Sequence, residues 1–75
     1  MSKIIVYSTQ SCPYCVMAKE YLKSKNIEFE DVDVGQDMNR AMEMIHKSGQ
    51  QGVPVIDING KIIIGFNKPE IDASL

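Results

Sequence analysis

Cysteine and histidine are scarce in this 75-residue chain, which has two cysteines, one histidine and no tryptophan. Basic residues are not in excess either, since 8 Lys and Arg face 10 Asp and Glu. The composition therefore gives no indication of nucleic-acid binding or of attraction to an anionic membrane. Long hydrophobic runs are also missing. The longest, at residues 4–7 and 62–64, fall far short of the roughly 18 residues that suggest a membrane span.

Size and cysteine content together predict one small domain in a reducing compartment. A chain of this length buries only about 60 % of its unfolded surface, but with 44 % hydrophobic residues it can form a core without extra cysteine staples. We expect residues 1–75 to form a single domain. Met1-Ser2-Lys3 leads into a strand pattern without a secretory hydrophobic segment, so we expect a cytoplasmic protein. In that compartment two cysteines favour a reactive pair over a structural bridge.

Hydrophobic periodicity predicts seven elements in the order strand, helix, strand, helix, strand, strand, helix. They cover residues 3–7, 13–24, 27–34, 38–48, 53–58, 61–64 and 66–75. The first two strands are joined by a helix and should be parallel, whereas the last two should be antiparallel. The sequence thus predicts an α/β fold, βαβαββα, with a mixed four-stranded sheet flanked by three helices. This arrangement resembles the thioredoxin-like fold.

The apolar residues of the first two helices repeat at the spacing of one helical face. The predicted faces are Tyr14, Ala18, Tyr21 and Leu22 in the first helix, and Met38, Ala41, Met42 and Ile45 in the second.

The second strand carries an irregularity. Ile27 and Phe29 share one phase of the alternation and Val32 and Val34 the other. This pattern predicts a bulge or an early strand end near Glu30-Asp31.

Two further segments carry local signals. Asn59-Gly60 between two strand patterns predicts a hairpin with a type I′ turn. At the last helix Asn67 and Glu70 have the spacing of a capping box.

The two cysteines, Cys12 and Cys15, lie three residues apart at the predicted start of the first helix. This spacing puts them on one side of the helix and within bonding reach. Unpaired backbone N–H groups and the helix dipole favour a thiolate at Cys12, while Cys15 should be less accessible and less ionised. We therefore expect Cys12 to attack a disulfide and Cys15 to resolve the product.

Two alternative explanations of the cysteine pair remain open. A structural disulfide across so short a loop would contribute only about 2 kcal/mol, and a reducing compartment would not preserve it. A zinc site would need further ligands, and His46 has no cysteine or histidine nearby in sequence. We expect no metal, a redox-active pair, and a plain surface role for His46.

The residues around the cysteines resemble those of a known family. Cys12-Pro13-Tyr14-Cys15 is similar to the active-site tetrapeptide of dithiol glutaredoxins, and Val53-Pro54 resembles part of their Thr-Val-Pro segment. Asn59-Gly60 and Gly65 fall where that family has its hairpin and a glycine.

The resemblance implies a glutathione-dependent thiol-disulfide oxidoreductase that acts on protein disulfides and glutathionylated proteins, with glutathione as co-substrate. It also implies a cis Pro54 beside the cysteines, and a Val53 backbone that pairs with bound peptide or glutathione. The alternative for Pro54 is a simple edge-strand proline. The implied catalytic residues are Cys12 and Cys15, and the implied binding residues are Thr9, Pro13, Tyr14, Val53, Pro54, Asn67 and Lys68. We expect a monomer without nucleic-acid or membrane partners.

Three departures from the family pattern bear on glutathione. Thr9 stands where many glutaredoxins have lysine, Gly52 where they have threonine, and Gly65-Phe66-Asn67-Lys68 where they have Gly-Gly-x-Asp. We expect Asn67, Lys68 and free N–H groups of the last helix to hold the glutathione carboxylate instead. The alternative is a solvated cap that only starts the helix.

Another resemblance points to a second electron source. Residues 65–70 resemble the Gly-Phe-x-x-Pro-acid segment of glutaredoxin-like redoxins that serve ribonucleotide reductase and accept electrons from thioredoxin reductase. That is the alternative function. An adaptor without redox activity is disfavoured because the cysteine pair is intact, and iron–sulfur binding is disfavoured by Pro13 and the second thiol.

Overall fold

A computed structural model describes residues 3–75. Met1 and Ser2, which belong to the predicted single domain and to the segment before the first strand, lie outside the described residues. The seven predicted elements are all present and in the predicted order. They are β1 (Ile4–Ser8), α1 (Pro13–Ser24), β2 (Glu30–Asp33), α2 (Met38–Ser48), β3 (Val55–Ile58), β4 (Lys61–Ile64) and α3 (Lys68–Ser74). Within residues 3–75 no helix is both long enough and apolar enough to cross a membrane.

The four strands form one mixed sheet in the order β2-β1-β3-β4. β1 is parallel to β2 and antiparallel to β3, and β3 is antiparallel to β4. The predicted α/β architecture is therefore confirmed. β1 and β3 occupy the two central positions, which explains why every residue of both strands is buried.

Each face of the sheet carries its own apolar cluster. On one face Ile4 and Val6 pack with Ala18 and Leu22 of α1 and Ile71 of α3. On the other face the cluster consists of Ile5, Tyr7, Val32, Met44 and Val55. The sheet is thus a middle layer with helices on both sides.

These two faces explain the irregular second strand. β2 covers only Glu30–Asp33 and pairs with β1 without interruption. The predicted length, the predicted bulge and the alternative of an early strand end were therefore wrong, because the strand begins at Glu30. Ile27 and Phe29 pack on the α1 side, and Val34 packs on the α2 side. The change of phase reflects burial on both faces.

The buried face of α1 differs from the prediction in its first turn. Cys15, Ala18 and Leu22 are buried, whereas Tyr14 is 62 % exposed. Cys15 takes the inward direction in that turn, which leaves the Tyr14 ring on the flank in solvent.

The predicted apolar face of α2 was wrong for Met38 and Met42, whereas Ile45 packs against the apolar cluster as expected. Met44 is its buried residue, while Met38 and Met42 are 81 % and 53 % exposed.

The cause lies in two polar groups of the sheet, because Tyr7 is fully buried and Asp57 is 7 % exposed. Buried polar groups need hydrogen-bond partners. α2 supplies them by turning Glu43 and Lys47 inward. The Tyr7 hydroxyl donates to the Glu43 carboxylate, and Lys47 Nζ donates to the Tyr7 hydroxyl and to Asp57 Oδ2, both at 2.8 Å.

The hairpin prediction is confirmed. Asn59 and Gly60 have φ values of 53° and 96°, as a type I′ turn requires. Asp57 Oδ1 fastens the turn by accepting the Gly60 N–H at 2.8 Å. Two elements are shorter than predicted, because β3 begins at Val55 and α3 covers only Lys68–Ser74.

Candidate active site

Cys12 is the N-cap of α1, the helix that follows the carboxyl end of β1. Its backbone is extended, with φ −100° and ψ 109°, and its carbonyl accepts the Val16 N–H at 3.2 Å. Pro13 occupies the first helical position, where its missing N–H removes no hydrogen bond. Cys12 Sγ accepts the backbone N–H of Cys15 at 3.2 Å. The sulfur therefore takes the place of an N-cap oxygen, and this backbone donor stabilises negative charge on it.

The segment before β3 lies against Cys12. The Cys12 thiol donates to the Val53 carbonyl oxygen at 3.8 Å, and the Val53-Pro54 peptide is cis, as the resemblance implied. The Pro54 carbonyl accepts the Gly65 N–H at 2.8 Å. The start of α1, the cis peptide and the segment after β4 are thereby joined in one region.

The two thiols differ in access. Both are free, but Cys12 is partly exposed and Cys15 is fully buried. Burial raises the pKa of the Cys15 thiol to about 12, and its hydrogen bond with Cys12 acts in the same direction. The backbone of Thr9 and the positive charge of Lys19 oppose this rise. The expected lower accessibility of Cys15 is confirmed, and its burial disfavours the thiolate.

The predicted binding residues within and just before the tetrapeptide lie in different environments. Pro13 and Tyr14 are exposed on the outer side of the helix start. Thr9 is half-buried and lines a small cavity of about 220 Å³ on the other side. Their contact with a substrate stays a prediction.

The expected carboxylate site at α3 offers fewer donors than predicted. Asn67 Oδ1 caps the helix by accepting the Glu70 N–H at 3.3 Å, and Pro69 has no N–H. Of the first three residues of α3, only Lys68 therefore keeps a free backbone N–H, fewer than expected, and binding of the carboxylate by Asn67 and Lys68 stays a prediction. The hydrogen bonds of the described chain include no return bond from the Glu70 side chain, so the capping box is half formed.

The Lys68 side chain lies against aromatic rings. Its Nζ is 5.3 Å from the ring centroid of Tyr21 and 5.6 Å from that of Phe66. These cation–π contacts place the ammonium group over the junction of α1 and α3. Its role toward glutathione remains a prediction.

Sequence reasoning missed a polar cluster beside the cysteines. Lys19 Nζ lies 3.2 Å from Asp31 Oδ2 and 3.4 Å from Ser8 Oγ, and Ser8 donates to Asp31 at 3.1 Å. Two signals could have revealed it. Lys19 follows Cys15 by four residues, and Ser8 continues the buried alternation of Ile4 and Val6.

A search of residues 3–75 for metal sites finds no group of three or more His, Cys, Asp or Glu side chains that could hold an ion. His46 is exposed at the end of α2.

Comparisons with known proteins agree with this geometry. The sequence profile of the glutaredoxin family matches residues 4–63. A glutaredoxin-like 8.6 kDa protein in a rubredoxin operon of Clostridium pasteurianum is 61 % identical over 69 residues, 92 % of each chain. Glutaredoxin 3 of Escherichia coli is 35 % identical over 87 % of this chain and 78 % of its own. The crystal structure of the thioredoxin-like protein BC3987 superposes with a TM-score of 0.91, is 32 % identical, and matches 97 % of this chain and 100 % of its own. The thioredoxin-like fold is thus confirmed.

Proposed function

The chain belongs to the glutaredoxin family of thiol-disulfide redoxins, and from that premise we propose that it reduces glutathionylated proteins and protein disulfides with electrons from glutathione. The observation that carries the proposal is the pairing of a partly exposed Cys12 sulfur with a fully buried Cys15 sulfur at the start of one helix. Of the two sulfurs, only Cys12 Sγ can reach an external disulfide, and only Cys15 Sγ is placed to displace the substrate from the resulting mixed disulfide.

In the first step the Cys12 thiolate attacks a substrate disulfide. Its sulfur bonds to one substrate sulfur, the substrate S–S bond breaks, and the other sulfur leaves as a thiolate that takes up a proton. The Cys15 N–H, 3.2 Å from Cys12 Sγ, supports the thiolate before attack. It also makes Cys12 a better leaving group when glutathione attacks the other sulfur of the mixed disulfide.

In the second step either glutathione or Cys15 attacks the mixed disulfide. Attack by glutathione on a glutathionylated Cys12 returns the dithiol and yields glutathione disulfide. Attack by Cys15 yields the Cys12–Cys15 disulfide, which two glutathione molecules then reduce. The cis Val53-Pro54 segment beside Cys12 would hold the substrate backbone, and Thr9, Pro13, Tyr14 and Lys68 would border it.

A second candidate is a redoxin that receives its electrons from thioredoxin reductase. The feature in its favour is the small number of backbone donors at α3, where the Asn67 cap takes the Glu70 N–H and Pro69 lacks an N–H. A glutathione carboxylate would find few backbone partners there, whereas a reductase needs only access to the disulfide.

The experiment compares electron sources on one substrate. The oxidised protein is supplied with glutathione and glutathione reductase, or with thioredoxin reductase, and NADPH consumption is followed with a glutathionylated peptide. Faster turnover with glutathione supports the first candidate. Turnover with thioredoxin reductase alone would replace it with the second, and turnover with neither would contradict both.

We also propose that the protein works in the cytoplasm and as a monomer. A pair that must return to the dithiol state after each cycle needs a reducing compartment. Size-exclusion chromatography with light scattering, under reducing conditions, tests the monomer.

A further inference from the structure

The α1 side of the sheet changes from apolar to polar near the start of α1. Ile4 and Val6 of β1 are buried under the helix, and the next residue on that side, Ser8, is 2 % exposed. On β2 the register partner of Val6 is Asp31, which accepts the Ser8 hydroxyl at 3.1 Å. A hydroxyl buried at this depth carries a desolvation cost that an apolar residue would avoid.

Lys19 completes this polar group from the helix. Its side chain is 21 % exposed, and its Nζ lies 3.2 Å from Asp31 and 3.4 Å from Ser8. Lys19 follows Cys15 by four residues, so the two side chains leave α1 on the same side, one turn apart. The two strand residues thus hold an ammonium group one helical turn after Cys15.

A cavity of about 220 Å³ lies beside this polar group. It is lined by Ser8, Thr9, Gln10, Lys19, Asp31 and Asp33, and its charged groups are therefore Lys19, Asp31 and Asp33. The backbone of Thr9, which also lines the cavity, opposes the rise in the pKa of the Cys15 thiol.

We propose that Lys19, held by Ser8 and Asp31, is a positioning residue that stabilises the negative charge developing on Cys15 when it attacks the Cys12 mixed disulfide. This inference rests on the proposed function of the cysteine pair. The need for such a charge is clear from the burial that disfavours the Cys15 thiolate, and the charge of Lys19 opposes that effect.

The step balances in atoms and electrons. The Cys15 thiol gives up its proton to the solvent, and its sulfur bonds to Cys12 Sγ. The bond between Cys12 Sγ and the substrate sulfur breaks, and the substrate leaves as a thiolate that takes up a proton. The cysteine pair is oxidised by two electrons and the substrate sulfur is reduced by the same two.

The test separates the two attacks in one trace. Reduced protein is mixed with excess dithiobis-nitrobenzoate in a stopped-flow instrument. Attack by Cys12 releases one coloured thiolate, and attack by Cys15 releases a second. In Lys19→Met we expect the second phase to slow about three- to tenfold at neutral pH, with the first phase unchanged. Its pH profile should move to higher pH. Lys19→Arg should restore most of the rate, because it keeps the charge.

Controls distinguish an electrostatic role from a structural one. Lys23→Met, on the exposed side of the same helix, should leave both phases unchanged, and thermal unfolding checks that all variants fold. In a Cys15→Ser background Lys19→Met should have no effect on the remaining phase. An unchanged second phase in Lys19→Met, or equal slowing of both phases, would overturn this inference alone. A parent protein that releases only one thiolate would contradict the resolving step of the proposed function, and this inference with it.

Discussion

Cys15 donates its backbone N–H to Cys12 Sγ at 3.2 Å while its own sulfur is completely buried. One residue thus contributes to the site in two ways. Its backbone N–H stabilises negative charge on the attacking Cys12 sulfur. Its side chain lies in the low-dielectric interior, from which it attacks the mixed disulfide in the second step. A substitution of the Cys15 side chain removes only the second contribution, because the N–H remains.

The first prediction follows from that separation. Cys15→Ser should retain reduction of a glutathionylated peptide, because glutathione can resolve the Cys12 adduct, but should lose most activity toward protein disulfides. Cys12→Ser should lose both activities, since the buried Cys15 cannot reach a substrate. Both activities are measured with the glutathione-coupled assay, and circular dichroism confirms that the variants fold. Activity retained in Cys12→Ser would assign the attack to Cys15 and contradict the prediction.

The second prediction concerns stability at alkaline pH. Burial raises the pKa of Cys15 to about 12 in the folded protein, against about 8.5 in an unfolded chain. The folded state therefore holds its proton more tightly, and the stability this gives is present below about pH 8.5 and declines as pH rises toward 12. Under reducing conditions the melting temperature should fall more steeply above about pH 8.5 than in Cys15→Ala. Parallel curves would contradict this.

The order and type of the elements could be predicted because local signals agree with the fold. Each of these signals determines the structure of only a few neighbouring residues. They are the apolar runs of the strands, the Asn59-Gly60 turn and the Asn67 helix cap. The position of β2 could not be predicted in the same way. An alternating pattern indicates one buried face, but the chain at residues 27–34 packs Phe29 on one side of the sheet and Val32 on the other.

The helix faces show a second limit. In α2 the inward side is set by Tyr7 and Asp57, two polar groups distant in sequence that draw Glu43 and Lys47 toward the sheet. Apolar spacing alone favours Met38 instead. Polar partners that are distant in sequence produce no periodic pattern in the sequence of the helix, so its inward side could not be predicted.

The active site was also predictable only in part. The closeness of Cys12 and Cys15 follows from their spacing of one helical turn, and their different roles follow from their position at the start of the helix. Lys19 remained hidden because its partners, Ser8 and Asp31, lie on two different strands.

The third prediction tests the polar network beneath α2. Lys47 is the only cation of the described chain within 4 Å of Asp57, whose side chain is 11 % exposed. Lys47→Met removes the charged donor to Asp57 Oδ2 and the donor to the Tyr7 hydroxyl, so we expect a loss of about 1–3 kcal/mol in the free energy of unfolding, measured by urea denaturation. Lys61→Met, at an exposed position of β4, is the control. Equal stability of the two variants would show that the network is energetically neutral.

The fourth prediction concerns Lys68 and glutathione. Its ammonium lies 5.3 Å from the Tyr21 ring centroid, and if it attracts the glutathione carboxylate, Lys68→Ala should raise the KM for a glutathionylated peptide about three- to tenfold with little change in kcat. Lys25→Ala is a matched control, because Lys25 Nζ lies over the same ring at 5.1 Å but pairs with Asp72. An equal rise in KM for both variants would indicate a general loss of positive charge. An unchanged KM in Lys68→Ala would indicate that the start of α3 is only a solvated helix cap. It would also favour thioredoxin reductase as the electron source.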